Sequence, residues 1–423
     1  MRINLPDKLS LNWVNRDGKL IILSRGLCTF ARGAIVILIA LYLEKLGFNL
    51  IQVGAFLSAG VAGSALFTFI VSLTSEKIGR KRLLIVLTLL YAATALALVF
   101  VDYFLPLMFF AFVGSIGDRG SLGPTHALEQ ASLSDTAPTE KRTDLFAVYR
   151  IVAMCGTALG TLAAGLPIIF QNTFPIREID AFKVMFIGYA FFHVLGAMLY
   201  SLLSSSVEVG HSEQRWVNPL RLPSRRLIFK LTGLFSLDSF SGHMFLDSLA
   251  AYWFYTRFGL QLESLAAVFF LSYIIRAVSM WVAAKLANRI GLINTIVFTH
   301  IPSSLFLIAA AFAPTALIAV IFWQLRAFFI NMDMPTRDSY SMSIVQPKER
   351  VAMASIHVVG RSVAGTIGPT LGTALWQVFA ASVPLIASGI LKISYDLSLY
   401  FMFRNIKPPQ ELDRTTGSKK IRK

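Results

Sequence analysis

The chain has 423 residues, of which 55% are hydrophobic and only 15% are charged, and its mean hydropathy is +0.65. Soluble domains carry about 25% charged residues, so this composition excludes an ordinary soluble protein. The 39 Lys and Arg residues exceed the 23 Asp and Glu residues by a net charge of +16, which fits nucleic-acid binding, membrane-surface binding or basic loops beside membrane spans.

Twelve stretches of the sequence are apolar and long enough, at about 20 residues, to cross a bilayer as helices. The expected spans, good to a few residues at each end, are 20–44, 50–75, 82–102, 105–133, 142–171, 182–205, 227–256, 263–288, 291–313, 315–344, 349–378 and 384–404. The sequence therefore predicts an all-α membrane protein with twelve transmembrane helices.

The only long polar interruption, Val207 to Arg226, divides the spans six and six. We expect an N-terminal six-helix bundle over residues 1–206, a cytoplasmic linker over 207–226, a C-terminal six-helix bundle over 227–404 and a basic cytoplasmic tail over 405–423.

Basic residues predict the orientation of the spans. With both termini in the cytoplasm, 27 Lys and Arg residues lie on the cytoplasmic side, four lie on the opposite side, and eight lie inside spans. This asymmetry follows the positive-inside rule. Most of the positive charge is thus explained by the orientation of the spans in the membrane, and nucleic-acid binding is not expected.

The two halves repeat each other in sequence. Residues 287–291 (ANRIG) resemble residues 75–79 (SEKIG), an offset of 212; Gly160 and Gly368 differ by 208, and Pro124 and Pro335 by 211. Nearly constant offsets indicate a parallel internal duplication, which in transporters places a binding site between the halves near the midplane.

The loop between the second and third spans reads Ser72-Leu-Thr-Ser-Glu76-Lys77-Ile-Gly79-Arg80-Lys81-Arg82. It resembles the signature of the major facilitator superfamily of secondary transporters, with Glu76 in place of the usual Asp and Ser72 in place of the first Gly. The resemblance covers essentially the whole chain and implies two six-helix bundles related by a pseudo-two-fold axis. It also implies that Glu76, Gly79 and Arg80 form a conformational gate, in which an acid could cap the neighbouring helix while Gly allows the tight turn. A solvated basic loop is the simpler alternative for Arg80 to Arg82.

Weaker resemblances occur elsewhere. Arg119-Gly-Ser-Leu122-Gly123 has Leu where the family often has Gln, and the Gly-Pro pattern that marks antiporters in the fifth span occurs in the eleventh, at Gly368, Pro369 and Gly372. We assign Gly123, Pro124, Gly368, Pro369 and Gly372 to helix packing. Glycines at 114, 117, 120 and 123 keep one stripe of the fourth span thin, for packing or for substrate.

Charges inside membrane spans are costly, at about 2.5–3.5 kcal/mol each at the helix centre, and need a partner, a cavity or a function. Those in the expected spans are Arg25, Arg32, Arg119, Arg150, Arg276, Arg326, Arg361, Lys392, Asp118, Glu129, Asp238, Asp247, Asp333 and Asp396. Arg25 and Asp396 are expected near span ends, and Glu129 and Asp333 at the cytoplasmic mouth. His193, His300 and His357 are interpreted as ordinary helix residues.

The predicted substrate and proton pathway consists of the charged residues nearest the midplane, together with one histidine: Arg32, Asp118, Arg119, Arg150, Asp238, His243 and Asp247. By the resemblance, spans 1, 4, 7 and 10 line the central cavity, and in the seventh span Asp238, His243 and Asp247 can share one helix face. Asp118 and Asp238 either carry protons or form static ion pairs. Arg32, Arg119 and Arg150 could instead clamp an organic anion.

The sequence lacks metalloprotease, paired-cysteine, nucleotide-binding and nucleophile-elbow motifs, so no enzymatic activity, metal or cofactor is expected. The predicted function is secondary transport of a small organic solute by alternating access, with a proton or ion gradient as the energy source. Proton coupling and export are favoured. Organic-anion uptake is one alternative, and a non-transporting receptor or scaffold is another. The expected partners are the lipid bilayer and a small-molecule substrate, and the chain is expected to be a monomer in the cell membrane.

Overall fold

The computed structural model describes residues 13–116, 123–134, 136–138, 141–208, 222–346 and 349–406. These ranges contain sixteen α-helices and no β-strand. The helices are α1 (Arg16–Lys45), α2 (Leu50–Ile78), α3 (Arg80–Phe100), α4 (Phe104–Gly114), α5 (Pro124–Leu133), α6 (Arg142–Ala163), α7 (Leu166–Thr173), α8 (Glu178–Ser201), α9 (Arg225–His243), α10 (Asp247–Phe258), α11 (Leu262–Ile290), α12 (Leu292–Ala311), α13 (Ala316–Phe329), α14 (Asp333–Ser343), α15 (Arg350–Val378) and α16 (Val383–Phe403).

Within the described ranges, eight helical segments are long and apolar enough to cross a membrane. They correspond to the expected spans 1, 2, 3, 5, 6, 8, 9 and 12. The eleventh span is the single helix α15, and the remaining three spans are each represented by a pair of helices, α4 with α5, α9 with α10, and α13 with α14. The prediction of an all-α fold with twelve spans is confirmed.

The prediction that spans 4, 7 and 10 are continuous over 105–133, 227–256 and 315–344 is wrong. After α4 the backbone turns at Ser115, whose φ is 50°, and α5 begins at Pro124 after the extended residue Gly123. The seventh span breaks at Leu246, which has φ −69° and ψ 162°. Broken helices are tolerated at membrane depth only where protein or a water-lined cavity satisfies the freed backbone groups.

The helices form two compact units. The first contains Met1–Glu213 and Gln261–Phe270, and the second contains Gln214–Leu260 and Leu271–Lys423. In the first unit α1 packs against α6 and α8, and α3 packs against α8. In the second unit α9 packs against α15 and α12 packs against α16. The first and fifth spans of each half therefore form equivalent helix pairs, in agreement with the internal duplication.

Glycines bring the backbones of these helix pairs close together. A Cβ added at Gly160 of α6 would collide with the carbonyl oxygen of Phe30 in α1. At the equivalent place in the second unit, a Cβ at Gly368 would lie 2.7 Å from Cβ of His243, and one at Gly372 would collide with the Met244 carbonyl. Pro369 lies between these two glycines inside α15 without ending the helix.

We predict that Gly160→Ala destabilises the protein by about 1–3 kcal/mol, because the added methyl group overpacks a contact with backbone atoms that cannot move independently. The matched control is Gly188→Ala in α8, where a Cβ would meet no atom within 4 Å. Thermal unfolding in detergent should show a lower melting temperature for Gly160→Ala alone. Equal melting temperatures for the two variants would show that α1 and α6 separate at little cost.

The two halves also share a turn. Gly79 has φ 98° and ψ 137° immediately before α3, and Gly291 has φ 87° and ψ 167° immediately before α12. Positive φ at these values is a conformation that glycine adopts without the steric penalty of a Cβ. The repeated Ile-Gly of the sequence thus marks the same helix start in both units.

Candidate functional site

Asp238 of α9 is the centre of a buried charge network in the second unit. Its Oδ2 atom lies 2.7 Å from Nη1 of Arg337 on α14, and its Oδ1 atom lies 2.8 Å from Nζ of Lys392 on α16. The three side chains are at most 8% exposed. Two basic side chains therefore hold this carboxylate, and the contacts tie three helices together.

Further ionisable groups extend this network. Asp333 lies 3.3 Å from Arg337 on the same helix, and Nδ1 of His300 on α12 lies 3.1 Å from Oδ1 of Asp396 on α16. Nε2 of His300 is 4.0 Å from Oδ1 of Asp238. We call Asp238, His300, Asp333, Arg337, Lys392 and Asp396 the α9–α16 network. Its members are all buried.

Several sequence interpretations of these residues are wrong. Asp396 is not near a solvated span end but 0% exposed, and Asp333 is only 2% exposed. Arg337 lies buried in α14, and His300 contacts a carboxylate rather than being an ordinary helix residue. A signal was present, because Asp333 and Arg337, like Lys392 and Asp396, are spaced four residues apart with opposite charges, as ion pairs on one helix face are.

Asp247 has a separate partner set. As the first residue of α10, it accepts hydrogen bonds from Nη1 and Nη2 of Arg276 on α11 at 2.7 and 2.9 Å, and from the hydroxyl of Tyr273 at 3.0 Å. His243, at the end of α9, instead lies with Nδ1 2.6 Å from the Ser239 carbonyl oxygen. The helix break between His243 and Asp247 means that the expectation of one shared face for Asp238, His243 and Asp247 is wrong.

The first unit contains its own buried cluster around Glu129 of α5, which is 1% exposed. Arg25 of α1 lies 3.3 Å from its carboxylate, and the hydroxyls of Tyr149 and Tyr200 both donate to it, the first at 2.5 Å. His126 lies 2.8 Å from the Tyr149 hydroxyl. Arg25 and Glu129, expected at a span end and at the cytoplasmic mouth, are therefore buried partners.

These two clusters are equivalent in position and opposite in charge. In the first unit a basic residue of the first span, Arg25, pairs with an acid of the fourth, Glu129. In the second unit an acid of the seventh span, Asp238, pairs with a basic residue of the tenth, Arg337. The members are 213 and 208 residues apart in sequence, close to the offsets of the internal repeat.

The other predicted pathway residues are only partly accounted for. Asp118 and Arg119 lie outside the described residues. Arg32 on α1 is half-buried and shares a hydrogen bond with Tyr189 on α8. Arg150 on α6 is half-buried near the cluster of the first unit. Their assignment to a substrate or proton pathway stays a prediction.

Comparison with known proteins identifies the family. The family model of the Major Facilitator Superfamily matches residues 21–369. The chain belongs to this superfamily. It is therefore a multi-pass membrane transporter for a small-molecule substrate rather than an enzyme.

One similar protein is an uncharacterized membrane protein of Saccharomyces cerevisiae, 24% identical, with the match covering 93% of this chain and 95% of that protein. Similar solved structures include the xylose transporter XylE from E. coli (TM-score 0.72, 12% identity, 94% of this chain and 99% of that one) and the nucleoside transporter NupG (TM-score 0.72, 14%, 92% and 99%). A bacterial homologue of the human lysosomal transporter Spinster has a TM-score of 0.70 at 14% identity, covering 91% of this chain and 96% of the other. These structures share the facilitator fold.

The helix that follows the facilitator signature loop, α3, is capped at its start by an acid from outside the loop, which the sequence did not indicate. Glu76 is exposed, whereas Glu208, in the 3₁₀ turn Ser205–Glu208, accepts hydrogen bonds from the backbone N–H groups of Arg80 at 2.6 Å and Lys81 at 3.3 Å. The expectation that Glu76 caps the neighbouring helix is wrong, because Glu208 occupies the start of α3 and lies beside Gly79. A gating role for Glu76, Gly79 and Arg80 stays a prediction.

We predict that Glu208→Ala lowers the free energy of unfolding by about 1 kcal/mol, because α3 loses an anionic cap that satisfies two backbone donors. Glu76→Ala is the matched control on the preceding helix and should leave the melting temperature nearly unchanged. The comparison uses thermal unfolding of the purified protein. A larger loss for Glu76→Ala than for Glu208→Ala would contradict the assigned cap.

Proposed function

We propose that this transporter is a proton-coupled carrier of a small organic solute, working by alternating access and exporting its substrate. The observation that supports the proposal is the α9–α16 network, in which three buried carboxylates and a histidine meet inside the helices. Ionisable groups at membrane depth are expensive and mark proton and substrate pathways more often than structural positions. Static pairing accounts for Asp238 with Arg337 and Lys392, but leaves His300 and Asp396 without a structural need.

The substrate class is proposed only as a small organic solute. Among proteins of similar fold are a nucleoside transporter and a D-xylose-proton symporter. Facilitator folds carry many unrelated solutes, so these names supply the first probes, uridine and xylose, rather than an assignment. We further infer from the distribution of basic residues that both termini lie in the cytoplasm and that the protein resides in the cell membrane.

The alternative is uptake of an organic anion. It rests on Arg32 and Arg150, which are half-buried on two packed helices of the first unit. Guanidinium groups bind carboxylate and phosphate in a bidentate geometry, so a pair of them could recognise such a solute. Competition by cationic and neutral solutes but not by anions would count against this alternative. Membership of a transporter family disfavours the receptor or scaffold interpretation.

The test is transport in proteoliposomes. A thermal-shift screen of metabolites and drugs at two pH values first selects ligands, since a solute that binds the folded state raises its melting temperature. Radiolabelled uridine, xylose and the selected compounds are then offered to vesicles with an imposed pH gradient. We expect accumulation that follows the gradient and stops when a protonophore collapses it. Accumulation that ignores the collapsed gradient would refute proton coupling.

A further inference from the structure

His300 occupies an unusual position between two carboxylates. Its Nδ1 atom lies 3.1 Å from Asp396 and its Nε2 atom lies 4.0 Å from Asp238. The histidine side chain is 3% exposed, and the carboxylates are 0% and 8% exposed. The imidazole therefore hydrogen-bonds Asp396 through Nδ1 and lies within ion-pair distance of Asp238 through Nε2, with almost no access to bulk water.

This arrangement has room for one more proton than a neutral imidazole carries. A neutral histidine has one N–H donor and one lone pair, so one nitrogen would present a lone pair to a carboxylate oxygen. A second proton removes that repulsion in either of two ways. It resides on His300, which then donates to Asp396 and attracts the Asp238 carboxylate 4.0 Å away as a cation, or on Asp396, whose hydroxyl then donates to Nδ1.

Asp396 supplies a second, independent observation. Its Oδ2 atom is buried and has no hydrogen-bond partner among the described residues. A buried polar atom without a partner is costly, and a charged one more so, and binding a proton lowers that cost. Asp238 differs, because its two oxygens contact the basic side chains of Arg337 and Lys392. Of the two acids beside His300, Asp396 is the one built to exchange a proton.

The charged surroundings come from every helix packed around the pair. On α16 itself lie Lys392 and Tyr395, with Lys392 four residues before Asp396 and bonded to Asp238. Ionisable residues on the other helices that pack against α12 or α16 include Asp238 and His243 on α9, Asp333 and Arg337 on α14, Arg326 on α13, and His357 and Arg361 on α15. Arg337 forms ion pairs with Asp238 and Asp333 rather than with Asp396.

We propose that His300 and Asp396 form a shared proton-binding site, and that this pair carries the coupled proton while Asp238 is the fixed counter-ion of Arg337 and Lys392. Binding one proton changes the charge of the pair from −1 to neutral, with no other bond made or broken. Because the two groups interact directly, they titrate as one unit rather than as separate residues. The role in coupling rests on the proposed function, whereas the binding of the proton does not.

Proton binding is measured directly with a pH-sensitive dye, by shifting purified protein between about pH 9 and about pH 5, a window that includes the ordinary titration of histidine. We expect His300→Gln and Asp396→Asn each to take up one proton fewer per chain than the unmodified protein. The control is His193→Gln in α8, a buried histidine stacked on Tyr189, which should take up the same number of protons as the unmodified protein. Equal uptake by all four proteins would overturn the proposal.

A spectroscopic measurement on the unmodified sequence covers the case in which a variant does not fold. Infrared difference spectra of protein with isotope-labelled aspartate, together with nitrogen resonances of labelled histidine, report the protonation of both residue types over the same pH range. We expect one aspartate–histidine unit to gain a proton as the pH falls. Spectra in which no aspartate and no histidine changes protonation would refute the site.

Coupling is separated from binding by the proteoliposome assay. Gradient-driven accumulation that persists unchanged in His300→Gln and Asp396→Asn would leave the proposed function standing and remove this pair from it. Gradient-independent transport by the unmodified protein would refute the proposed coupling, and the dye titration then decides the proton site without reference to transport.

Discussion

Replacing Asp238 by asparagine is expected to lower the free energy of unfolding by about 3–5 kcal/mol. The amide keeps the shape of the carboxylate but leaves Lys392 and Arg337 as buried cations with too little negative charge nearby. Arg337 retains Asp333 at 3.3 Å, whereas Lys392 loses the only carboxylate that lies within 4 Å of it among the described residues. Thermal unfolding in detergent and size-exclusion profiles measure the loss.

The double variant Asp238→Asn with Lys392→Met distinguishes loss of charge balance from loss of a packed side chain. Removing both members of the pair eliminates the uncompensated cation, so the double variant should be more stable than Asp238→Asn alone. Asp180→Asn is the surface control. Its partner Arg177 is 80% exposed, and solvent screening limits such pairs to about 0–1 kcal/mol. If Asp180→Asn were as damaging as Asp238→Asn, the buried network would have no special role in stability.

Hydropathy predicted the number of spans because bilayer crossing is a property of composition and length. It missed the helix breaks because the residues at a break can be as apolar as their neighbours. Met244, Phe245 and Leu246 are at most 3% exposed and interrupt the seventh span without adding a polar residue. The break before Pro124 had a local signal, since proline with a preceding glycine is typical of a helix start, and the break in the tenth span had one in Asp333 and Pro335.

The charged residues inside the spans could be listed from sequence, but not their partners. Asp238 and Lys392 are 154 residues apart, and their contact depends on how α9 and α16 pack. His300 belongs to no recognisable sequence motif, and its two carboxylate neighbours come from different helices. Charge alone could not distinguish Asp396, which has a free oxygen, from Asp238, whose oxygens are both occupied by cations.

The duplication explains why the two units need not perform the same task. Both join the first and fourth spans of their half through a buried ion pair, Arg25 with Glu129 and Asp238 with Arg337. In the first unit two tyrosine hydroxyls complete the coordination of the acid, and His126 contacts a tyrosine hydroxyl rather than a second carboxylate. In the second unit the corresponding space contains a lysine, a histidine and a further carboxylate. The first cluster is thus suited to a static connection, and the second to a change in protonation.

A static role for the first cluster predicts a loss of stability when the charge of its acid is removed. Glu129→Gln should lower the free energy of unfolding by about 3 kcal/mol, because it removes the carboxylate charge that lies 3.3 Å from the buried Arg25. Tyr149→Phe in the same cluster removes one hydrogen bond but no charge, so it should cost only about 1 kcal/mol. Melting temperatures of the two variants in detergent give the comparison.

Transport assays then distinguish the roles of the two charge clusters. Arg25→Met combined with Glu129→Gln removes the ion pair of the first cluster. We expect this double variant to regain most of the stability lost by Glu129→Gln. Its transport should show an unchanged dependence on the pH gradient. The same operation on the second unit, Asp238→Asn with Lys392→Met, should regain stability but alter the gradient dependence, since Asp238 also faces His300 at 4.0 Å. If neutralising Arg25 and Glu129 abolished gradient dependence in a folded protein, Glu129 rather than the His300–Asp396 pair would be the acid that couples protons to transport.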